Sequence, residues 1–581
     1  MKNDKFEDII ETEVLIIGGG LAGAYAAIKA KERGAQKVLI VDKSYVGKSG
    51  CSSFAAGVFT SFIPEEDDFD FWFKEIVNHG EYMNDQEWLG LHLSEVYERV
   101  REMDSFGVKF AKGKRGEFIR TPGRGEFKNI KFYGPQLMEA MRKRCEQNNI
   151  KLIDWVMMTD LVIRDGRAVG TVGFHCRSGD FKVFKAKSIV VTTGGCRFKT
   201  NLSGHRMTTG DGHAMLLRAG CEMMNLEINQ SNLAAANFEM SGPGMNMYQG
   251  LGAKFVNRKG EEFLSYYDPV YKERTTLRMF SGAMAVETAL GNNPFYIDMR
   301  HFSSEQVMLL KEVLPLPTKA LERAGIIIGD KIVKQIEWLP IGPCWGSYGG
   351  GARINKNCET NISGLFVAGD ASAKMAAGTN EMGAGALPNA AVTGAIAGRY
   401  ASEYASEVGE YQLDMDAVGK LREETMALFN RRKGVDPEHA ILSIQETITP
   451  YKVAIIKKED RLKRALDQIA DIRSTVIPYT YAVDPHHLRL AHEARNMALC
   501  AELFLHAALM RKESRGIGFR EDFPFRDNVN WLKWIILKMS GQKVLSKTED
   551  IPVERYKVRP ESTITEHPLS LAGKSRGLKW E

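Results

Sequence analysis

The stretch that most constrains the fold is residues 13–42, which has the pattern of a strand, a glycine turn, a helix and a second strand. Its glycines follow the spacing G-x-G-x-x-G at Gly18, Gly20 and Gly23. In such a turn the first glycine allows a sharp bend, the second lets the backbone approach a pyrophosphate, and the third lets the helix pack against the strand. Asp42 ends the second strand, where a carboxylate can accept hydrogen bonds from a ribose. The stretch therefore predicts a dinucleotide site and favours it over a βαβ turn with only a structural role.

Length and composition exclude several classes of protein. The chain has 581 residues, enough for roughly two to four domains, and a net charge of +5 that is small for this length. Because no long basic run is present, a nucleic-acid partner is not expected. No apolar run reaches about 18 residues, and the first residues lack the pattern of a signal peptide. We therefore expect a cytoplasmic protein without a transmembrane segment, at most peripheral on a membrane through a partner.

The cysteines and histidines do not have the spacing of metal ligands. None of the eight cysteines forms a C-x-x-C pair, so no metal or iron–sulfur site is predicted within the chain, and free thiols are expected. His486, His487 and His492 lie close together, but no carboxylate has a suitable spacing beside them. We predict that these are histidines on a helix surface.

Small residues recur where later predicted strands end. Residues 43–61 are rich in Gly, Ser and Ala directly after Asp42, which favours contact with a ligand over a flexible surface loop. Residues 188–195 form a buried strand that ends in Thr-Gly-Gly, where the chain can pass beneath a cofactor without a side-chain clash. The motif at 209–212 places an acid at a helix N-terminus, as a ligand contact, an N-cap or both. The predicted cofactor residues outside the first turn are Lys43, Ser49, Gly50, Gly57, Thr193, Gly194, Asp211, Gly369, Asp370, Ala386 and Leu387.

Several motifs occur in the order found in one protein superfamily. They are Thr-Gly-Gly at 193–195, Thr-Gly-Asp-Gly at 209–212, Gly-Leu-Phe-Val-Ala-Gly-Asp at 364–370, RKESRG at 511–516, DFPFRDN at 522–528 and NWL at 530–532. With the glycine turn they resemble the flavoprotein subunits of succinate dehydrogenase and fumarate reductase. L-aspartate oxidase and the adenylylsulfate reductase α subunit belong to the same superfamily. The resemblance spans roughly residues 11–560.

The resemblance implies FAD as the cofactor and an α/β architecture. A discontinuous, Rossmann-like FAD-binding domain would be interrupted by an α+β capping domain and followed by a helical domain. The chain's own pattern agrees, because the βαβ rhythm fades after residue 225, resumes near 363 and gives way to helices after about 404. The predicted boundaries are 1–231 and 345–405 for the FAD-binding domain, 232–344 for the capping domain, 406–540 for the helical domain, and 541–581 for a polar, irregular C-terminal extension.

The chain departs from the family at the cofactor link and at the substrate site. Gly50 stands where succinate dehydrogenases carry the histidine that binds FAD covalently, so FAD is expected to be non-covalent. The capping-domain HPTG of the family appears as Ser-Asn-Leu-Ala at 231–234, and its Thr-Glu pair falls near Met245 and Asn246. Trp345 takes the position of a family histidine. The resemblance therefore does not carry over to a dicarboxylate site.

Glu381 changes the charge expected at the substrate site. In the resemblance it replaces an arginine that clamps a carboxylate of succinate or fumarate. Two like charges about 4 Å apart repel by about 4 kcal/mol at an effective dielectric constant of about 20, so a dicarboxylate is expected to be rejected. An adenylylsulfate would meet the same acid. The expected substrate is a small neutral, cationic or aromatic molecule.

The resemblance also implies the reaction. It is hydride transfer between flavin N5 and a substrate carbon, with a protein group handling the proton. The candidates for proton transfer and positioning are Glu381, Tyr348 and Arg278, and Trp345 is the candidate for stacking. For each of them a packing or surface role is the alternative. The family's proton-donating arginine falls on Arg274 or Arg278, and the sequence does not decide between them.

The route of the electrons is predicted from what the chain lacks. No second G-x-G-x-x-G follows a strand, so no NAD(P)H domain is expected. Multi-subunit members of the superfamily use an iron–sulfur partner, and we expect such a partner here. Two alternatives stay open. One is a sulfur oxidoreductase like the adenylylsulfate reductase α subunit, and the other is a non-catalytic flavoprotein subunit that relays electrons.

Overall fold

A seven-stranded sheet organises the first part of the chain. The computed structural model describes residues 9–123, 126–200, 204–239, 245–345, 349–379, 385–431, 433–541 and 543–580. The strands of the first part are β1 (Ile9–Ile17), β2 (Val38–Val41), β3 (Val58–Thr60), β4 (Arg120–Pro122), β5 (Lys128–Lys131), β6 (Lys151–Ile153), β7 (Val156–Arg164), β8 (Arg167–His175), β9 (Phe181–Val191) and β10 (Met223–Met224). Its α-helices are α1 (Leu21–Glu32), α2 (Phe69–His79), α3 (Gln86–Ser105), α4 (Leu137–Gln147) and α5 (Asp211–Arg218).

Parallel pairing at the centre of this sheet determines where a ligand can bind. The strand order is β6-β2-β1-β9-β8-β7, and β1 runs parallel to β2 on one side and to β9 on the other. The far side of β9 pairs antiparallel with β8 near its beginning and parallel with Leu365–Val367 near its end. Because parallel strands end at the same edge of a sheet, the loops after these strands meet there. The predicted α/β, Rossmann-like fold is confirmed.

The middle of the chain has a sheet and a hydrophobic cluster of its own. Its strands are β11 (Gln230–Ala235), β12 (Lys254–Val256), β13 (Phe295–Asp298), β14 (Ile327–Ile328), β15 (Lys331–Ile332) and β16 (Ile336–Cys344). Its helices are α6 (Met245–Gly250), α7 (Leu277–Ala289), α8 (Ser304–Val313) and α9 (Pro315–Arg323). β11, β16, β13 and β12 pair antiparallel in that order around a cluster that includes Phe280 and Trp338. Antiparallel neighbours need no crossover helix, which explains why the βαβ rhythm fades after residue 225.

After the middle segment the chain returns to the main sheet and then becomes helical. The returning elements are β17 (Gly351–Ala352), β18 (Leu365–Val367) and α10 (Ala386–Glu407). The next helices are α11 (Met415–Met426), α12 (Pro437–Ile448), α13 (Tyr451–Ala454), α14 (Glu459–Asp471) and α15 (Pro485–Met510). The last elements are β19 (Ile456–Lys457), β20 (Phe519–Arg520), β21 (Phe525–Asp527), β22 (Lys533–Ser540), β23 (Lys543–Asp550), β24 (Ile564–Glu566) and α16 (Pro568–Ser575). The predicted domain boundaries stay predictions.

Helix α10 packs directly on α1 through small residues. A Cβ at Gly394 would lie 2.4 Å from the carbonyl oxygen of Ala22, and a Cβ at Gly398 would lie 2.2 Å from that of Ala26. Close approach of the two helices therefore requires glycine at both positions. In α10 the predicted cofactor residues Ala386 and Leu387 line the cavity described below, together with Ala390, whereas Gly394 and Gly398 pack on α1.

Two predictions about the later part of the chain are wrong. His486 is exposed on α15 as predicted, but His492 is not on a helix surface, because it is only 4% exposed and its Nε2 lies 3.0 Å from the carbonyl oxygen of Thr425. The segment after residue 541 is not irregular, because β23 pairs along its whole length with β22 and α16 follows. Most side chains of β23 are exposed, because the strand lies at the edge of a sheet. Its sequence is therefore mostly polar and does not predict a strand. Among the described residues, no helix is both long and apolar enough to cross a membrane.

Candidate cofactor and substrate site

A cavity lies at the shared carboxyl edge of β1, β2, β9 and β18. The predicted cofactor residues that line it are Gly18, Gly20, Asp42, Lys43, Ser49, Gly50, Thr193, Gly194, Asp211, Gly369, Asp370, Ala386 and Leu387. Leu233, Met245 and Leu277 of the middle segment also line it. The cavity is therefore bounded by the main sheet and by the middle segment.

The turn after β1 has a conformation that favours glycine. Gly18 has a φ of +111°, and a Cβ there would lie 2.5 Å from the carbonyl oxygen of Thr192. Gly23 does not line the cavity, and its Cβ would lie 2.0 Å from the carbonyl oxygen of Gly18. Gly23 thus lets α1 approach the end of β1, which is the packing role that its place in the motif predicts.

Asp42 stabilises the same turn. Its Oδ2 accepts a hydrogen bond from the N–H of Gly19 at 2.7 Å, and its Oδ1 accepts one from the N–H of Ser44 at 2.7 Å. Burial raises the pKa of this carboxyl, against the lowering effect of the two backbone donors. Each oxygen retains a further lone pair, so Asp42 can still accept a hydrogen bond from a ligand.

Gly50 and Gly57 lie in the small-residue loop but have different surroundings. Gly50 lines the cavity with a φ of +71°, and a Cβ there would meet nothing within 4 Å. Gly57 does not line the cavity, because it faces the carbonyl oxygens of Val313 and Phe132, at 2.7 and 2.8 Å from a Cβ placed on it. Gly57 therefore allows contact with the end of α8, while its neighbours Ala56 and Val58 line the cavity.

Lys43 and Asp211 form an ion pair in the cavity wall. Lys43 Nζ lies 2.6 Å from Asp211 Oδ2 and donates to Thr209 Oγ1 at 2.8 Å. Asp211 is in the first turn of α5, where the helix dipole favours a carboxylate. Burial lowers the pKa of Lys43, but Asp211 and a further carboxylate, Glu493, hold it well above its ordinary value.

Sequence reasoning missed Glu493 and Asn496, two residues of α15 behind this ion pair. Glu493 Oε1 lies 2.9 Å from Lys43 Nζ, and Asn496 Nδ2 donates to Asp211 Oδ1 at 2.9 Å. These contacts join positions that are 450 and 285 residues apart in the chain. No local spacing in the sequence could reveal them.

Thr193, directly after β9, lines the cavity, but its hydroxyl is turned away from it. Its Oγ1 is buried and has no hydrogen-bond partner among the described residues. A buried hydroxyl without a partner costs free energy unless a ligand or a water completes its hydrogen bond. The Oγ1 faces α5, where a Cβ on Gly212 would lie 2.0 Å from it, so it is not a contact for a ligand in the cavity.

Asp370, after β18, belongs to a second group of polar side chains on the cavity wall. Arg197 Nη2 lies 3.1 Å from Asp370 Oδ2, and Arg197 Nη1 lies 2.9 Å from His205 Nε2. Burial, together with Arg197, holds the pKa of His205 well below its ordinary value, so a neutral His205 accepts from the guanidinium. Sequence reasoning missed Arg197 and His205, although Arg197 lies two residues beyond the Thr-Gly-Gly motif.

Arg278 of α7 lies outside this cavity, in a cluster of charges. Its Nη1 is 2.5 Å from Glu81 Oε1 and 3.3 Å from Thr379 Oγ1. Arg526 Nη1 lies 3.8 Å from the same Glu81 oxygen, and these charged residues line a second cavity together with His567. Burial raises the pKa of Glu81, but the surrounding arginines, Arg278 first, outweigh burial and lower it to about 2. The charged carboxylate therefore holds the guanidinium of Arg278 in place.

Trp345, the other predicted catalytic residue within the described ranges, lies away from this cluster. Trp345 is buried, its Nε1 donates to the carbonyl oxygen of Leu226 at 2.9 Å, and its ring stacks on His213 at 5.2 Å. Its predicted stacking on a substrate stays a prediction. Tyr348 and Glu381 lie outside the described residues, and so do the side chains of Asn232 and Asn246. Within the described ranges, no three His, Cys, Asp or Glu residues group as metal ligands.

Two family models match the chain. The one described as FAD binding domain matches residues 13–387, and the one described as Fumarate reductase flavoprotein C-term matches residues 443–565. An uncharacterized FAD-dependent oxidoreductase of Methanocaldococcus jannaschii is 29% identical, over 94% of this chain and 99% of its own. A fumarate reductase (CoM/CoB) subunit of Methanothermobacter marburgensis is 27% identical, over 92% of this chain and 99% of its own.

Solved structures share the arrangement of the whole chain. A mutant of E. coli quinol fumarate reductase has a TM-score of 0.84 at 22% identity, covering 96% of this chain and 99% of that chain. Adenylylsulfate reductase of Archaeoglobus fulgidus has a TM-score of 0.79 at 20% identity, covering 95% of this chain and 97% of that chain. At these identities the likeness concerns the fold alone.

Proposed function

Because the chain belongs to the family of FAD-binding flavoproteins that includes fumarate reductase and succinate dehydrogenase subunits, we propose that it carries out redox chemistry at a carbon–carbon bond of a substrate that is not a dicarboxylate. The predicted resemblance is confirmed, and the chain is an FAD-dependent oxidoreductase. The observation that carries the proposal is Arg278, which is ion-paired to Glu81 and contacts Thr379, two residues before Glu381 in the sequence.

The cofactor is FAD, and the residues of the main cavity fit it. The N-terminus of α1 can hold a pyrophosphate, and Asp42 can accept hydrogen bonds from a ribose. Because Gly50 has no side chain to form a bond, FAD binding is non-covalent in this proposal. When bound, FAD supplies hydride transfer to or from a substrate carbon.

Arg278 is the proposed proton donor or acceptor, acting at a guanidinium nitrogen. The ion pair with Glu81 orients the guanidinium, and Nη1 also donates to Thr379 Oγ1 at 3.3 Å. Arg274, the alternative left by the sequence, donates instead to the carbonyl oxygen of Gly123 at 3.3 Å. This difference favours Arg278. Positioning an acid or base in this way typically contributes a factor of about 10² to 10⁴ in rate.

The proposed substrate class rests on charge. Glu381 replaces an arginine of the family pattern, and Met245 lines the cavity where a Thr-Glu pair is expected. An acid and an apolar side chain oppose a dianion and admit a neutral, cationic or aromatic molecule. The relatives named as fumarate reductases support a reaction at a carbon–carbon bond.

An iron–sulfur protein is the proposed electron partner. The relative from Methanothermobacter marburgensis is named as one subunit of its enzyme, and no second dinucleotide motif follows a strand in this chain. A partner that carries the electrons would explain both observations. A cytoplasmic location also stays a prediction.

A substrate screen on the FAD-loaded protein tests the proposal. The reduced protein would be mixed with fumarate and with unsaturated ketones, acyl thioesters and aromatic compounds, and the oxidised protein with succinate. We expect flavin reoxidation by at least one compound that is not a dicarboxylate, and none by fumarate. Turnover of fumarate or succinate with ordinary affinity would contradict the substrate class.

The variant Glu381→Gln tests the acid itself. It should lower turnover of the true substrate and make dicarboxylates bind, because the repelling charge is gone. Unchanged turnover on the true substrate would remove Glu381 from the mechanism.

The lost dicarboxylate residues also favour a rival function, an FAD subunit that only relays electrons. Such a subunit would be reduced by an iron–sulfur partner without turning over any compound in the screen.

A further inference from the structure

One turn of α15 contacts three segments that form the wall of the FAD cavity. Glu493 and Asn496 are three residues apart and therefore lie on the same face of the helix. We propose that these two residues couple FAD binding to the packing of α15. Bound FAD would then stabilise the packing of the helix, and the packed helix would stabilise bound FAD. The proposal rests on FAD as the cofactor and is independent of the substrate class proposed above.

Glu493 is a fully buried carboxylate among cations. Its Oε1 lies 2.9 Å from Lys43 Nζ and 2.6 Å from Arg489 Nη1, and its Oε2 lies 2.8 Å from Lys199 Nζ. Burial raises the pKa of Glu493, but Lys43, Arg489 and Lys199 outweigh burial and hold it far below its ordinary value. Glu493 is therefore charged, and it neutralises cations that would otherwise repel one another.

Those cations belong to separate parts of the cavity wall. Lys43 follows β2 and lines the cavity. Lys199 follows β9, two residues after Arg197, which also lines the cavity. A single carboxylate on α15 thus holds the segments after two parallel strands of the main sheet.

Asn496 reaches a third part of the wall. Its Nδ2 donates to Asp211 Oδ1 at 2.9 Å, while Asp211 Oδ2 accepts a hydrogen bond from Lys43 Nζ. Asn496 Oδ1 accepts from Arg218 Nη1 at 3.0 Å, so both ends of the α5 helix are tied to α15 through this amide. Glu493 and Asn496 do not line the cavity themselves. They are positioning residues, because they contact Lys43 and Asp211, which do line it.

Coupling of this kind is reciprocal. If α15 holds Lys43 and Asp211 in the geometry that FAD requires, bound FAD must by the same free energy hold α15 in place. In the FAD-free protein the first turns of α15 should open more often, which amide hydrogen exchange detects.

The test compares FAD affinity in matched variants of the full chain. Glu493→Gln removes the buried charge, and Glu502→Gln makes the same change on the same helix, where Glu502 pairs with Arg473 away from the cavity lining. We expect FAD to bind Glu493→Gln roughly 30- to 100-fold more weakly, as for other residues that orient ligand-binding groups, and Glu502→Gln within about twofold of wild type. If Glu493→Gln lowers the stability of the FAD-free and FAD-loaded proteins equally and leaves FAD affinity unchanged, Glu493 is merely structural and the proposal is overturned.

A milder variant and a second measurement keep the test decisive if Glu493→Gln does not fold. Asn496→Ala leaves every charge in place and removes only amide hydrogen bonds, so we expect about a fivefold to tenfold loss of FAD affinity. Hydrogen exchange over residues 486–500 should slow at least severalfold when FAD binds to the wild type, and much less in Asn496→Ala. Exchange that does not respond to FAD in the wild type would overturn the proposal.

Discussion

The cofactor cavity and the Arg278–Glu81 cluster are built in different ways. At the cavity the backbone forms much of the site, through the Gly18 turn and the N–H groups that hold Asp42. At the cluster, side chains from three distant parts of the chain, Glu81, Arg278 and Arg526, hold one another through charge. A site built by the backbone is visible in the sequence as a pattern of neighbouring residues. A charge cluster shows no such pattern, because its residues are far apart in the chain. Variants in the cofactor cavity and variants in the Arg278–Glu81 cluster are expected to differ in the size and kind of their effects.

The largest effect is expected at Arg278. Arg278→Met should lower turnover of the identified substrate by about 10³-fold and leave FAD content unchanged, because the cluster lies outside the cofactor cavity. Steady-state rates and the flavin absorbance of the purified protein measure both quantities. Arg274→Met is the control and should change turnover less than about threefold. If Arg274→Met shows the large loss instead, the roles of the two arginines are reversed.

A substitution in the turn after β1 should have nearly as large an effect. It should lower FAD content, which the Arg278 variant leaves unchanged. Gly18→Ala puts a Cβ 2.5 Å from the Thr192 carbonyl oxygen at a φ of +111°, which strains the backbone by about 3 to 5 kcal/mol. FAD content after purification should fall sharply. Gly90→Ala, where a Cβ meets nothing within 4 Å, should retain FAD fully. A fully FAD-loaded Gly18→Ala protein would show that the turn tolerates the side chain.

Glu81 should make the stability of the protein depend on acidic pH. Its pKa is lowered from 4.5 to about 2 in the folded protein, so its stabilisation is complete above pH 4.5 and disappears as the pH falls towards 2. The shift corresponds to about 3 kcal/mol of unfolding free energy.

Urea unfolding of wild type and Glu81→Gln tests this dependence. The difference in their free energies of unfolding should be greatest near neutral pH and should shrink below pH 4.5. A difference that stays constant over this range would mean that Glu81 is not the titrating group.

The smallest effect is expected for Trp345→Phe. The variant loses the hydrogen bond from Nε1 to the Leu226 carbonyl oxygen, which should lower the free energy of unfolding by about 1 to 2 kcal/mol. FAD affinity and substrate KM should not change, because the ring stacks on His213 inside the protein. A large increase in KM at unchanged stability would instead support stacking of Trp345 on the substrate.

Local patterns in the sequence were sufficient for much of the cofactor site. Most predicted cofactor residues line one cavity, because many of them were recognised in segments that follow a strand, and parallel strands end at one edge. Gly23 and Gly57 are the exceptions, since each allows the close approach of two backbone segments. Arg197 and His205 were missed, although Arg197 follows a recognised motif.

The sequence by itself determined the α/β fold and the dinucleotide site, because glycine turns, buried strands and strand-end acids are short-range features that depend on backbone geometry. The order of its motifs, through the family resemblance, identified the dinucleotide as FAD. Only the tertiary structure decided that Glu493 stands behind Lys43, that Glu81 pairs with Arg278, and that Trp345 faces His213. The physical reason is that ion pairs and ring contacts form between side chains more than a hundred residues apart. Their partners are chosen by how the helices and sheets pack, which no local spacing records.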